Sequence, residues 1–443
     1  WALSDGIPSS NWCVKGLIVK LQIFNIIMST SARRGSRWVP AFCAATAVAC
    51  YLNALNCDFV FDDRLAITNN PDVQPGAPFA SLLMNDFWGK ALTKEDSHKS
   101  YRPLTVLTFR LHTWWTGRTP EPRPYHTVNV ILHAIAAAAV ALLARRSWHG
   151  SQRGARRVAL LAGVAFAAHP VHVEAVTGVV GRAELLCALF CFAGAASHSV
   201  SARARRLCVR ICGSIGVVLC FAGAVLSKET GVTLVGILAA EEILLTLPAR
   251  LRKGRVAGSA ARLLLLAASA LGYAMLRVVL MSPPGQPQSL SAASLAESQL
   301  IRRAENPLAF VSGRKQWVLS VAYLQVVYAS LLVFPTSFCI EYSYDCIPMI
   351  ESASDARNLL SAALLLLLSA IAASLMYHVR STDARCSMVA SGWLLLPWLP
   401  VSHIPLRLGT LIAERTMYLP SVGLLLLICH LLRIVAHPHR ALS

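Results

Sequence analysis

With 443 residues, 55% of them hydrophobic and only 14% charged, and a mean hydropathy of +0.54, the chain lies outside the composition of soluble domains and within that of multi-pass membrane proteins. Its 41 Lys and Arg against 22 Asp and Glu give a formal charge of +19. The basic residues cluster in short connectors between apolar runs, which argues for the positive-inside pattern and against nucleic acid as a partner.

In chain order, the sequence starts at Trp1, so its N-terminus reads as incomplete. GLIVKLQIFNIIM (16–28) is too short to span a bilayer, which takes about 20 apolar residues. Residues 1–37, closing on Arg33, Arg34 and Arg37, read as a cytosolic segment. Residues 38–436 read as one membrane domain, with spans near 38–56, 127–144, 157–171, 183–200, 207–226, 231–248, 258–281, 317–335, 357–378, 387–404 and 419–436. The third is short unless it continues through Pro170. The fold class is therefore all-α, a polytopic bundle of about ten to eleven helices.

If the Arg33–Arg37 cluster is cytosolic, alternation puts 57–126, 172–182 and 227–230 on the far side, and 145–156, 201–206 and 249–257 in the cytosol. The charges agree at each connector. Beyond residue 281 agreement weakens, because alternation sends His378 to Arg385 outside. Either a segment between 300 and 356 is re-entrant or interfacial, or a weak span is hidden there. The Ser/Pro/Gly-rich stretch 282–297 reads as a loop. Most of the 13 cysteines fall in apolar runs as small hydrophobes, but Cys57, Cys339 and Cys346 lie in polar connectors and can pair in an oxidising lumen.

Five stretches carry the chemistry. FVFDDRLAITNNPDV (59–73) opens a long aromatic connector and holds Asp62 and Asp63. A carboxylate where water is scarce can take the proton of a weakly acidic hydroxyl; an Asp pair also suits a solvated turn. Of the two, Asp63 is preferred because Arg64 and a helix start follow it. HPVHVEAVTGVVGRAELL (169–186) contributes His169, His172, Glu174, Arg182 and Glu184; its His spacing is not a known metal motif, and helix-end packing is the competing reading. SKETG (227–231) adds Lys228 and Glu229, and AERTMYLPS (413–421) adds Arg415. With Arg102 from SHKSYRPLTVLTFRL (97–111), Arg182, Lys228 and Arg415 can hold an anionic phosphate, or can snorkel at helix ends. A base, clustered cations and many spans suggest transfer from a lipid-linked phosphate donor.

Together with PYHTVNVILHA (124–134), these motifs resemble, in order over residues 38–436, the transmembrane and tetratricopeptide-repeat-containing (TMTC) protein O-mannosyltransferases. The resemblance implies a GT-C glycosyltransferase of the endoplasmic reticulum membrane with a lumenal active site. It implies dolichyl phosphate mannose as donor and Ser/Thr hydroxyls of secretory-pathway proteins, cadherins among them, as acceptors. It also implies an acidic residue of the first lumenal loop, here Asp62 or Asp63, at the active site; beside it the residues themselves nominate Arg102, Arg182, Lys228 and Arg415 for donor phosphate and His169, His172, Glu174, Glu184 and Glu229 for shaping the pocket. No cofactor is implied, and a divalent metal is allowed without support. The family's tetratricopeptide repeats would follow the tail 437–443, and its Asp-Trp-Ser reads EYSYD (341–345) here. An inactive membrane scaffold and a lipid or solute transporter are the alternatives.

Overall fold

The structure, a computed structural model, describes residues 38–116, 120–149, 151–254, 256–281, 301–336, 338–406 and 408–436; the expectations for 1–37, 282–297 and 437–443 lie outside the described residues. The long helices are α1 (Trp38–Cys50), α2 (Pro103–Thr116), α3 (Pro122–Ser147), α4 (Gln152–Ala167), α5 (Arg182–Arg203), α6 (Leu207–Ser227), α7 (Glu229–Leu251), α8 (Ala257–Met281), α9 (Arg314–Val333), α10 (Arg357–Tyr377), α11 (Thr382–Trp398) and α12 (Tyr418–Ala436). Among the described residues eight helices are long and apolar enough to cross a membrane, and a ninth span results if the bent pair Gln152–Ala167 with Pro170–Thr177 counts as one. Among the described residues the protein is all-α and polytopic, as its composition dictates.

The helix ends follow local chemistry. Ser151 and Ser381 cap α4 and α11, each hydroxyl accepting the backbone N–H three residues on, at 3.1 Å. Pro122 opens α3, where its missing N–H costs nothing, and Arg145 and Arg146 close it against the helix dipole. The third expected span does not run through Pro170. It ends at Ala167 and turns by 50°, because proline cannot supply the next helical donor.

The main core joins α1 and α3–α7 to α11 and α12 around small residues such as Ala47, Ala137 and Ala188. Gly423 shows why small residues matter here: a Cβ on it would lie 2.1 Å from the Leu394 nitrogen of α11. By contrast α8 and α10 have only 6% of their span windows buried, so most of their apolar side chains, Leu264, Leu271, Leu365 and Leu366 among them, lie on the outside of the bundle. The connector after α1 is ordered about its own core of Phe59, Ile67, Val73, Phe87 and Phe109. Asp86 pins it by accepting from Ser97 Oγ at 2.7 Å and from the Trp88, Lys90 and His98 amides.

α9 resolves the topology conflict. Although long enough to cross, it lies across one end of the bundle. Ser320 accepts from the Ile350 amide, Gln325 and Tyr328 donate to the Ser402 and Val401 carbonyls beyond α11, and Leu332 accepts from His169 beyond α4. The described residues between α8 and α10 thus stay at that end. α10 returns to the other end, and α11 starts there, with Asp383 paired to Arg433 of α12. His378–Arg385 therefore sits with the other basic connectors, as its arginines require. No disulfide forms among the described cysteines, so the Cys57, Cys339 and Cys346 pairing is not observed.

Candidate active site

The two adjacent aspartates at the α9 end serve different purposes. Phe61, held in the left-handed region at φ 45°, turns the chain just before them. Asp63 is buried, and its carboxylate accepts from the Val180 amide at 2.9 Å and the Val60 amide at 3.4 Å, tying the connector to the start of α5. Burial pushes its carboxyl above the usual range, while the amides of Val180, Val179 and Val60 pull the other way. A carboxyl raised in the folded state contributes stability below its unfolded pKa, and that contribution is lost as pH rises through the folded value. We expect the protein to lose thermal stability on this account as pH climbs from about 3.8, and Asp63→Asn, whose amide oxygen still accepts from Val180, to flatten the profile in detergent-solubilised melts.

Asp62 instead faces a cavity of about 240 Å³, walled by 60–63, by Val173, Glu174, Thr177, Gly178 and Val180, by Phe338–Ile340, and by Glu414 and Arg415. That volume is below the roughly 300 to 1,000 Å³ of drug-sized pockets and suits a single sugar ring. Arg415 stands between two carboxylates: its Nη2 donates to Asp62 at 3.1 Å, and its Nη1 and backbone N–H donate to Glu174 at 2.7 Å. Glu414 faces the same space and accepts from the Tyr342 hydroxyl at 2.7 Å and the Cys339 amide at 2.8 Å. Burial, then the Glu414 carboxylate, push the Tyr342 hydroxyl well up, so it stays a donor.

Beside this cavity lie two further ion pairs. Arg102 Nε meets Glu229 at 3.0 Å and stacks its guanidinium 5.0 Å from the Phe87 ring centre. Lys228 pairs with Glu184, both almost wholly buried. Burial pulls the Lys228 ammonium well down; Arg102 and Arg415 act in the same direction, and Glu229 and Glu174 oppose them. Lys228 thus lies electrostatically between the two outer arginines, and the charges form one network.

Of the residues singled out from sequence, Asp62, Asp63, Glu174 and Arg415 line the cavity, while Arg102, Lys228, Glu184 and Glu229 stand in the adjoining pairs. Arg182, His169 and His172 do not line it. Arg182 is buried beneath α2 and α3, donating to Asn129 and the Tyr125 carbonyl at 2.9 Å, with the Phe109 ring centre 4.8 Å away. A guanidinium this deep must spend its donors on the protein, which leaves little for a phosphate. His172 Nδ1 donates to the Phe166 carbonyl and its Nε2 lies 2.9 Å from Ser421 Oγ; His169 reaches Leu332. Both fasten helix ends. The preference for Asp63 over Asp62 has no support in this geometry, since Asp62 is the carboxylate with an open side. Sequence reasoning missed Glu414, Tyr342 and 338–340; Glu414 stood inside a quoted motif, but nothing local tied the 338–342 segment to the aspartates. Among the described residues no three His, Cys, Asp or Glu side chains gather as metal ligands.

Fold and site together define a helical polytopic membrane protein with an arginine clamped between carboxylates at one end of its bundle. Residues 296–369, the stretch that carries α9 and the 338–342 wall, match the family described as protein O-mannosyl-transferase TMTC, DUF1736. The chain is 34% identical to human protein O-mannosyl-transferase TMTC4 over 87% of its own length and 54% of that protein, and 36% identical to mouse TMTC3 over 87% and 41%. It is 32% identical to human TMTC1 over 90% of this chain and 46% of that one. It belongs to the TMTC family, and spans about half the length of the curated relatives it matches. No solved structure matches it.

Proposed function

We propose that this chain carries the membrane part of a protein O-mannosyltransferase of the GT-C type, resident in the endoplasmic reticulum. It transfers mannose from dolichyl phosphate mannose to Ser or Thr hydroxyls of secretory-pathway proteins, cadherin-like proteins among them. The supporting observation is the Asp62–Arg415–Glu174 arrangement in a sugar-sized cavity at the end of the bundle opposite the basic connectors. The positive-inside rule assigns those connectors to the cytosol and hence the cavity to the lumen. Relatives named protein O-mannosyl-transferases supply the reaction class.

In this reading the acceptor hydroxyl attacks the anomeric carbon of mannose while Asp62 takes its proton. The bond from that carbon to the phosphate oxygen breaks, and dolichyl phosphate leaves. Arg415 turns part of its fork from Asp62 to the departing phosphate, which frees the Asp62 carboxylate as the base when the donor is in place. Arg102 and Lys228 add positive field behind it, where charge builds up. Glu174 keeps Arg415 aimed, and Glu414 accepts from sugar hydroxyls. Microsomes holding the inserted full chain, given labelled dolichyl phosphate mannose and a cadherin ectodomain, should place label on Ser or Thr. No label above chain-free microsomes rules the reading out.

A further inference from the structure

At the end of the bundle remote from Asp62, the ends of α3, α5, α7 and α12 and the starts of α6, α8 and α11 enclose a second cavity, of about 940 Å³. Six cations line it, Arg146, Arg203, Arg205, Arg210, Arg250 and Lys253, against one acid, Glu241. Among the described residues Glu241 pairs with Arg146, and no carboxylate pairs with the other five. Arg203, Arg205 and Lys253 are exposed, as basic residues at a membrane boundary usually are. Arg210 and Arg250 are half-buried and converge.

Their meeting point is Gly258, near the start of α8. The position a Cβ would occupy there lies 3.2 Å from Arg210 Nη2, 3.6 Å from Arg262 Nη1 and 4.0 Å from Arg250 Nη1. Arg262 spends its Nε and Nη2 on Glu242, which leaves its Nη1 toward this point. Three guanidinium groups facing one spot with a single carboxylate between them repel one another, and an anion at that spot removes the repulsion. A separate observation agrees: buried His430 lines the same cavity, and its Nδ1 has no hydrogen-bond partner among the described residues. The inner wall is apolar, formed by Leu143, Val389, Trp393 and Leu426. Basic pockets between helices on the cytosolic side suit phosphorylated lipid head groups.

We propose that this cavity binds a phosphate-bearing anion, the head group of an anionic lipid or a free phosphate ester, with its phosphate held by Arg210 and Arg250 beside Gly258 and with the buried Arg262 guanidinium adding positive charge behind them. The proposal does not depend on mannosyl transfer. The test uses the full chain in phosphatidylcholine nanodiscs, with inorganic pyrophosphate as the soluble probe, and in nanodiscs that also contain phosphatidylinositol phosphate. Thermal stability and co-purified lipid are read out. A ligand that binds only the folded state raises stability saturably. Stabilisation by pyrophosphate in plain phosphatidylcholine assigns the site to phosphate itself, and stabilisation confined to the phosphoinositide discs assigns it to a lipid. In R210Q/R250Q the affinity should fall roughly tenfold per arginine removed. Gly258→Asp puts a carboxylate where the three groups meet, at a helix start that favours negative charge, so it should raise stability without any probe and abolish the response. A folded wild type that answers neither probe, or a response undiminished in both variants, overturns the proposal.

Discussion

Asp62→Asn should cut mannosyl transfer by about 100- to 10,000-fold, the range lost when a positioned general base is removed, while the protein still inserts and folds. The substitution keeps the size of the side chain and one oxygen able to accept from Arg415. It removes only the negative charge and the capacity to take a proton. Arg415 retains Glu174, which holds both its Nη1 and its backbone N–H, so the cavity wall stays in place. The loss should therefore appear in kcat, with the KM for donor little changed. Arg415→Lys should behave in the opposite way. It keeps the charge and loses the two-pronged fork, so donor binding weakens while the base survives. Equal loss in both parameters for both variants would mean that the two side chains act as one unit and that the division of labour is wrong.

Lys228→Met should destabilise the folded protein by about 3 to 5 kcal/mol, because it leaves Glu184 buried without its cation. The pair is sealed, with side-chain exposures of 9% and 5%, so water cannot replace the lost partner. Lys228→Met combined with Glu184→Leu should recover most of that stability, since replacing both members of a buried pair by apolar groups of similar volume is often neutral. Melting in detergent of the two single variants and the double gives the coupling directly. Recovered stability without recovered transfer would show that Lys228 also serves donor binding. A Lys228→Met protein as stable as wild type would mean that Glu184 is not buried with it.

Much of the fold was legible in the chain, because a bilayer enforces a simple rule. Every backbone donor must be satisfied inside a helix, and about 20 apolar residues announce each crossing. The charges of the connectors also gave the two ends of the bundle up to residue 281. What the sequence could not settle was α9, whose length and apolarity match a crossing helix. Only its bonds to Ile350, Val401, Ser402 and His169 show that it lies across one end.

The site was half legible for a related reason. Ionisable residues in an apolar chain stand out, so Asp62, Glu174 and Arg415 were visible as types. Their mutual contacts were not, since they lie 241 and 353 residues apart along the chain. Arg182 misled because a buried structural arginine and a ligand-binding one look alike until its partners, Asn129 and the Tyr125 carbonyl, are seen. The same holds for Asp63, which resembles its neighbour in every respect except that backbone amides have claimed it.

The central claim is that Arg415 exchanges a carboxylate for the donor's phosphate in the cavity that Asp62 faces. An electron cryo-microscopy structure of the chain with dolichyl phosphate tests it most directly. The account predicts the phosphate within hydrogen-bonding reach of the Arg415 guanidinium, with the Asp62–Arg415 contact opened and the Glu174 contact kept. A phosphate bound away from Arg415, with that arginine still clamped between both acids, would contradict it.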